Sequence, residues 1–143
     1  MNDLPNESFT KFSPQARAIL VAAQRYAETL NAGLGSEHIL LALTITPDSP
    51  AYTVLRKLPV TLDQLRLVLT MDKSTTPPKG GMATEAKSVL ERAAFQAATL
   101  QSALIGPEHL LWALTTDAQC RAHQLFHQLG IDPKTVRKML ERQ

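Results

Sequence analysis

Cysteine, charge of one sign and long apolar runs are all scarce in this chain, and each scarcity closes off a class of function. One cysteine, Cys120, occurs in 143 residues, so no internal disulfide forms and a disulfide-stapled secreted scaffold is excluded. That lone thiol lies within an apolar helical pattern and reads as a small packing residue rather than a nucleophile. The 15 Lys and Arg residues are nearly balanced by 13 Asp and Glu, for a formal charge of +2. They are scattered, which leaves no electrostatic footprint for nucleic acid. No apolar run approaches the roughly 20 residues that span a bilayer, so no membrane partner is expected. No basic-then-apolar N-terminal segment resembles an export signal, and the cytosol (a cytoplasmic location) is the compartment expected.

Enzyme signatures are missing as well. There is no glycine-rich phosphate loop ending in Gly-Lys-Ser/Thr, no Gly-x-Ser-x-Gly elbow and no His-Glu-x-x-His helix. Glu28, Glu85 and Glu91 occupy helical positions away from the apolar stripe, which reads as solvated faces rather than an acid/base pair. The expectation is a protein without catalytic residues and without a cofactor.

What the chain does contain is a duplication. Ser13-Pro14-Gln15-Ala16-Arg17 returns as Ala83-Thr84-Glu85-Ala86-Lys87, and Gly35-Ser36-Glu37-His38-Ile39-Leu40-Leu41-Ala42-Leu43-Thr44 returns as Gly106-Pro107-Glu108-His109-Leu110-Leu111-Trp112-Ala113-Leu114-Thr115. One inserted residue shifts the register between the two blocks. The match continues from Ala51, Val54, Leu55 and Leu58 to Ala122, Leu125, Phe126 and Leu129, so two copies of one unit build the fold.

Each copy reads as four helices. Ala16, Ile19, Leu20, Ala23, Ala27 and Leu30 place one apolar stripe on a long first helix, capped by Ser13 with Pro14 behind it and ended by Asn31-Ala32-Gly33. A second helix from about Ser36 to Ile45 is nearly all apolar after His38 and belongs in the middle of the packing. After the break at Thr46-Pro47-Asp48-Ser49-Pro50, a short third helix carries Ala51, Val54, Leu55 and Leu58. Thr61 caps a fourth with Leu62, Leu65, Val68 and Leu69. Downstream, Ala86, Val89, Leu90, Ala93, Ala97 and Leu100 repeat the first stripe, and Asp132-Pro133 opens the last helix with Val136, Met139 and Leu140. Its Lys134, Arg137, Lys138 and Arg142 read as a solvated face near a helix C-terminus. The predicted architecture is all-α, with two tandem four-helix repeats packed about a pseudo-twofold axis. Residues 1–11 form a flexible tail, 12–72 the first repeat, 73–82 a Pro/Gly-rich linker and 83–143 the second repeat.

Chemistry concentrates at Gly35-Ser36-Glu37-His38 and Gly106-Pro107-Glu108-His109. Each sets a carboxylate and an imidazole at a helix start, where backbone N–H groups are unpaired and the macrodipole is positive. An anion at those amides and a guanidinium at the carboxylate would suit a ligand carrying both charges. The same residues also read as packing and capping: Ser36 as a cap, Glu37 as a dipole partner, His38 as a hydrogen-bonded ring. His38 and His109 lack a second ligand at i+3 or i+4, and no zinc pattern is present, so no metal is expected.

These strings, together with Phe12-Ser13-Pro14-Gln15-Ala16, resemble the N-terminal domain of Clp-type AAA+ unfoldases over about residues 12–142. The resemblance implies a mobile, non-catalytic module that docks substrates and adaptor proteins for a Clp-type ATPase. In the ClpC-like branch it further implies recognition of phosphorylated arginine through the glutamate of each motif, which nominates Ser36, Glu37, His38, Glu108 and His109 as binding residues. Pro107 removes a hydroxyl and a backbone donor, and Ala83 replaces an expected Ser/Thr cap, so the second site is expected to be weaker or absent. With no Walker motif in the chain, the resemblance implies either a free-standing relative or a piece of a longer ATPase. A small-molecule regulator with its ligand between the two halves is the alternative, and an all-helical enzyme with converging His38 and His109 a third.

Overall fold

A computed structural model describes residues 11–71 and 81–142. Apart from Lys11, Gly81 and Met82, the expected tail and linker lie outside the described residues. Eight helices are found among them: α1 (Pro14–Thr29), α2 (Ser36–Leu43), α3 (Pro50–Arg56), α4 (Leu62–Met71), α5 (Thr84–Thr99), α6 (Pro107–Thr116), α7 (Arg121–Gln128) and α8 (Pro133–Glu141). The chain is all-α, four helices to a repeat, as the duplication predicts.

Local chemistry sets most helix starts. Ser13 Oγ accepts the Ala16 N–H at 3.1 Å ahead of Pro14, and Ser49 Oγ accepts the Tyr52 N–H at 3.0 Å ahead of Pro50. Thr61 and Gln64 exchange bonds, each backbone N–H donating to the other's side chain at 3.1 Å, which makes a capping box. Asp132 accepts from Lys134 at 3.0 Å. Ala83, as its side chain requires, offers α5 no such bond.

The long helices end by one device. Asn31 takes φ 59°, and the Asn31 and Ala32 amides donate back to the Glu28 and Ala27 carbonyls. Gln101, with φ 56°, does the same through Ala98 and Ala97. Both are Schellman ends, and the left-handed residue is Asn31 rather than the glycine two positions on. Because the helix turns off there, Leu30 and Leu100 leave the stripe they were assigned to and stand 41% and 59% exposed.

The core centres on α2 and α6. Every residue of α2 is buried, and α6 buries Leu110, Leu111, Ala113 and Leu114. The two helices pack on each other, α1 and α5 each cover their own repeat's central helix, and α7 and α8 of the second repeat reach back to α2 and α3 of the first. Each buried Leu or Ile there contributes about 1.5–3 kcal/mol.

The repeats also exchange backbone. The segment before α1 pairs in parallel with Ile105, which precedes α6: the Ser13 N–H donates to Ile105 O at 2.9 Å and the Ile105 N–H to Lys11 O at 2.8 Å. The segment before α5 makes the mirror pairing with Leu34, which precedes α2, through Leu34 N–H to Gly81 O and Ala83 N–H to Leu34 O, both 2.8 Å. Each repeat thus ties down the loop that leads into the other's central helix.

Gln101 holds a left-handed conformation that costs a residue with a Cβ roughly 1 kcal/mol. Gln101→Gly is expected to raise stability by about 0.5–1 kcal/mol in urea denaturation without changing the m-value.

Candidate functional site

The two Gly-x-Glu-His segments share one local geometry. The Gly35 N–H donates to His38 Nδ1 at 2.9 Å, and the Gly106 N–H to His109 Nδ1 at 2.8 Å. Each histidine therefore plays the part that Glu or Gln plays in a capping box. A nitrogen that accepts a backbone N–H carries no proton, so both rings are neutral with the hydrogen on Nε2. The adjacent carboxylates, 3.8 Å from His38 and 3.5 Å from His109, are then no ion-pair partners of those nitrogens. Burial holds His109 below its ordinary value of 6.5, against the opposing pull of Glu108. The glycines leave room for the carboxylates: a Cβ at Gly35 or Gly106 would fall on Oε1 of Glu37 or Glu108, which folds back over it and would have to swing away.

The first of these helix starts is filled from within. The Ser36 N–H donates to Glu85 Oε2 at 3.0 Å, and its hydroxyl donates to Glu85 Oε1 at 2.8 Å. The same carboxylate accepts the Arg121 N–H at 3.1 Å, at the start of α7. Ser36 Oγ in turn accepts the Ala122 N–H at 2.9 Å. Glu85, read from sequence as a solvated residue, is instead the half-buried clasp between α2, α5 and α7. Ser36 is fully buried and is the first helical residue, with Gly35 at the cap position.

The nominated residues therefore separate. Ser36, Glu37 and His38 lie inside the protein, with the Glu37 side chain 7% exposed. His109 is buried and its ring is committed to the Gly106 amide. The Glu108 side chain is 38% exposed, so the more accessible carboxylate belongs to the second motif. The two histidines belong to separate caps, and the space between the halves is occupied by the packing of α2 on α6.

Cys120 matches Ser49 in the repeat and does its work: the buried Sγ accepts the His123 N–H at 3.4 Å at the start of α7. Burial, with Glu85 and Asp117 nearby, pushes its pKa up to about 12, so the thiolate is not formed near neutral pH.

One surface feature was missed by sequence reasoning. Ser88, Glu91, Arg92 and Phe95 on α5 and Trp112 on α6 line an open groove of about 420 Å³. Phe95 is 70% exposed and Trp112 only partly buried against the core. Arg92 leans on the buried Asp117 carboxylate at 3.7 Å. Glu108 precedes Trp112 by four residues and shares its helix face. The first repeat carries Arg25 and Leu41 where the second has Phe95 and Trp112, so the groove's aromatic pair belongs to one copy. The signal in sequence was the pair of aromatics at positions where the two copies disagree.

Duplicated four-helix units, swapped backbone bridges and histidine-capped central helices define a tandem helical-repeat domain. The chain belongs to the Clp repeat (R) N-terminal domain family, whose model matches residues 11–87 and again 81–143. It is 32% identical over 136 residues to a probable ATP-dependent Clp protease ATP-binding subunit of Chlamydia pneumoniae, covering 91% of this chain and 16% of that protein. An uncharacterised protein of Mycobacterium tuberculosis is 32% identical over 112 residues, covering 76% of this chain and 44% of the relative. The chain thus spans well under two thirds of either relative. The crystal structure of the N-terminal domain of ClpD from Arabidopsis thaliana superposes with a TM-score of 0.73 at 20% identity, over 94% of this chain and 97% of that one.

Two outcomes follow from the site's geometry. Glu85→Ala is expected to lower stability by about 2–3 kcal/mol, and a double-mutant cycle with Ser36→Ala to show coupling of at least about 1 kcal/mol. Near-additive losses would remove the clasp. His109 binds its proton more weakly when folded than when unfolded, so its share of stability is intact above pH 6.5 and falls as the pH drops below 6.5 toward the lowered folded value. His109→Gln keeps an acceptor for the Gly106 N–H and is expected to flatten that decline in thermal melts between about pH 5 and 7.

Proposed function

We propose that this chain is a non-catalytic docking module of a Clp-type unfoldase system, presenting the α5–α6 groove to peptide segments of substrate or adaptor proteins. Membership of the Clp repeat family supports the class of function. The observation that carries the location is Phe95, an aromatic ring 70% exposed beside Trp112 in a protein that buries its other phenylalanines among the described residues. Exposed Phe95 beside partly buried Trp112, with Glu91 and Arg92 lining the groove and Glu108 one turn away on α6, offers an apolar anchor with charged walls, which suits a peptide side chain that is long, flat or cationic. Such a module works in cis when an ATPase follows it in the same polypeptide, and in trans when it is a separate subunit.

The phosphoarginine reading takes a narrower form. Glu85 already uses the Ser36 amide and hydroxyl, so the first motif has no free donor at that position for a phosphate. Glu108 is the carboxylate with exposure to spare, and a guanidinium held there would lie along the helix face that carries Trp112. Ser36, His38 and His109 then act by fixing the loops that lead into α2 and α6, and Glu37 stays buried away from the ligand.

Calorimetric titration with a phosphoarginine peptide and its unmodified counterpart tests both levels. Phe95→Ser is expected to weaken both peptides by about tenfold or more, as loss of an anchor does. Glu108→Ala is expected to weaken the phosphoarginine peptide, while Glu37→Ala leaves it unchanged. Undiminished binding by Phe95→Ser would sink the groove. Equal heats from wild type and Glu108→Ala would sink the phosphoarginine form alone.

A further inference from the structure

A cluster on α7 and α8 is used by neither the core nor the docking groove. His123 and His127 are four residues apart on α7, with ring centroids 4.9 Å apart and planes tilted by 55°. His127 is exposed and His123 half-buried. His123 Nδ1 and Arg137 Nε are buried without a hydrogen-bond partner, whereas the matching Arg66 of the first repeat donates its Nε–H to Thr44 at 3.3 Å. The first repeat has Tyr52 where the second has His123, so the imidazole pair, like the aromatic pair, belongs to one copy.

We propose that His123 and His127 form a two-imidazole binding site for a divalent transition-metal ion of the zinc, nickel or copper kind on the exposed side of α7. The distance is the first argument. A metal–nitrogen bond of about 2.0–2.1 Å plus about 1.2 Å from ring nitrogen to centroid puts each centroid roughly 3.2 Å from the ion. Two ligands separated by about 90–109° at the metal then have centroids about 4.5–5.2 Å apart. The observed 4.9 Å lies within that span. The helix supplies the second argument, since residues four apart share a face, which sets the two rings side by side on α7.

The donor type agrees, since imidazole nitrogen suits zinc, copper and nickel. With Nε2 as the ligand atom, the buried Nδ1 carries the hydrogen. Arg137 is the cation that opposes the ion, and its Nε is buried without a hydrogen-bond partner. Water completes the coordination, because no group of three or more His, Cys, Asp or Glu residues converges among the described residues.

The test uses the full chain, without a histidine tag and stripped with chelator, titrated with NiCl2 and with ZnCl2 against a chromophoric competitor at pH 7.5. One equivalent is expected to bind in the micromolar range, raising the melting temperature by a few degrees at saturating metal. Affinity is expected to fall about tenfold or more in His127→Ala, whose exposed side chain leaves the fold intact, and likewise in His123→Gln. Cys120→Ser is expected to bind as wild type does. Absence of micromolar binding, binding retained by His127→Ala, or binding abolished by Cys120→Ser would each overturn the site.

Discussion

One carboxylate makes three otherwise separate helix starts depend on each other. Glu85, in the first turn of α5, takes both donors of Ser36 at the start of α2 and the first amide of α7. Helix N-termini concentrate positive potential and leave amides without partners, so two of them brought together are unstable unless something negative lies between. Glu85 supplies that charge from the second repeat to the first. The Ser36 hydroxyl completes the circuit by accepting from Ala122. With α2 wholly buried and packed on α6, its position fixes the core of both halves.

The clasp exists once because the copies have diverged. Pro107 stands where Ser36 stands in the first repeat, without amide or hydroxyl, and Gln15 stands where Glu85 does in the second. Pro107 has nothing to donate, so the bond cannot form on the other side and the pseudo-twofold arrangement is locked by an asymmetric tie. The surface diverges in the same direction: Phe95, Trp112, His123 and the more exposed Glu108 all belong to the second repeat. The first repeat's motif is consumed by architecture, and the second keeps its carboxylate partly at the surface.

Much of the fold was legible because its signals are local. Ser13-Pro14, Ser49-Pro50, Thr61 with Gln64 and Asp132-Pro133 each state a helix start within four residues, and the apolar spacing of Ala16, Ile19, Leu20 and Ala23 states which face is buried. Leu30 and Leu100 were misplaced because periodicity does not report where a helix turns off, whereas the left-handed Asn31 and Gln101 do. Glu85 was misread because its spacing along α5 fits a solvated face equally well, and its partners lie 49 and 36 residues away in the chain. The candidate motifs were found at once, yet their exposure could not be: Glu37 and Glu108 sit in near-identical strings and differ only in what packs above them.

The sequence by itself determined the helices, their caps, the duplication and the family, because backbone capping and hydrophobic periodicity act over a few residues and repeat visibly. Tertiary structure alone decided which carboxylate is spent on the clasp, which is left at the surface, and that Phe95 and Trp112 share one groove. Those outcomes depend on distances between segments far apart in the chain, and burial and electrostatic pairing are set by such distances rather than by neighbours in sequence.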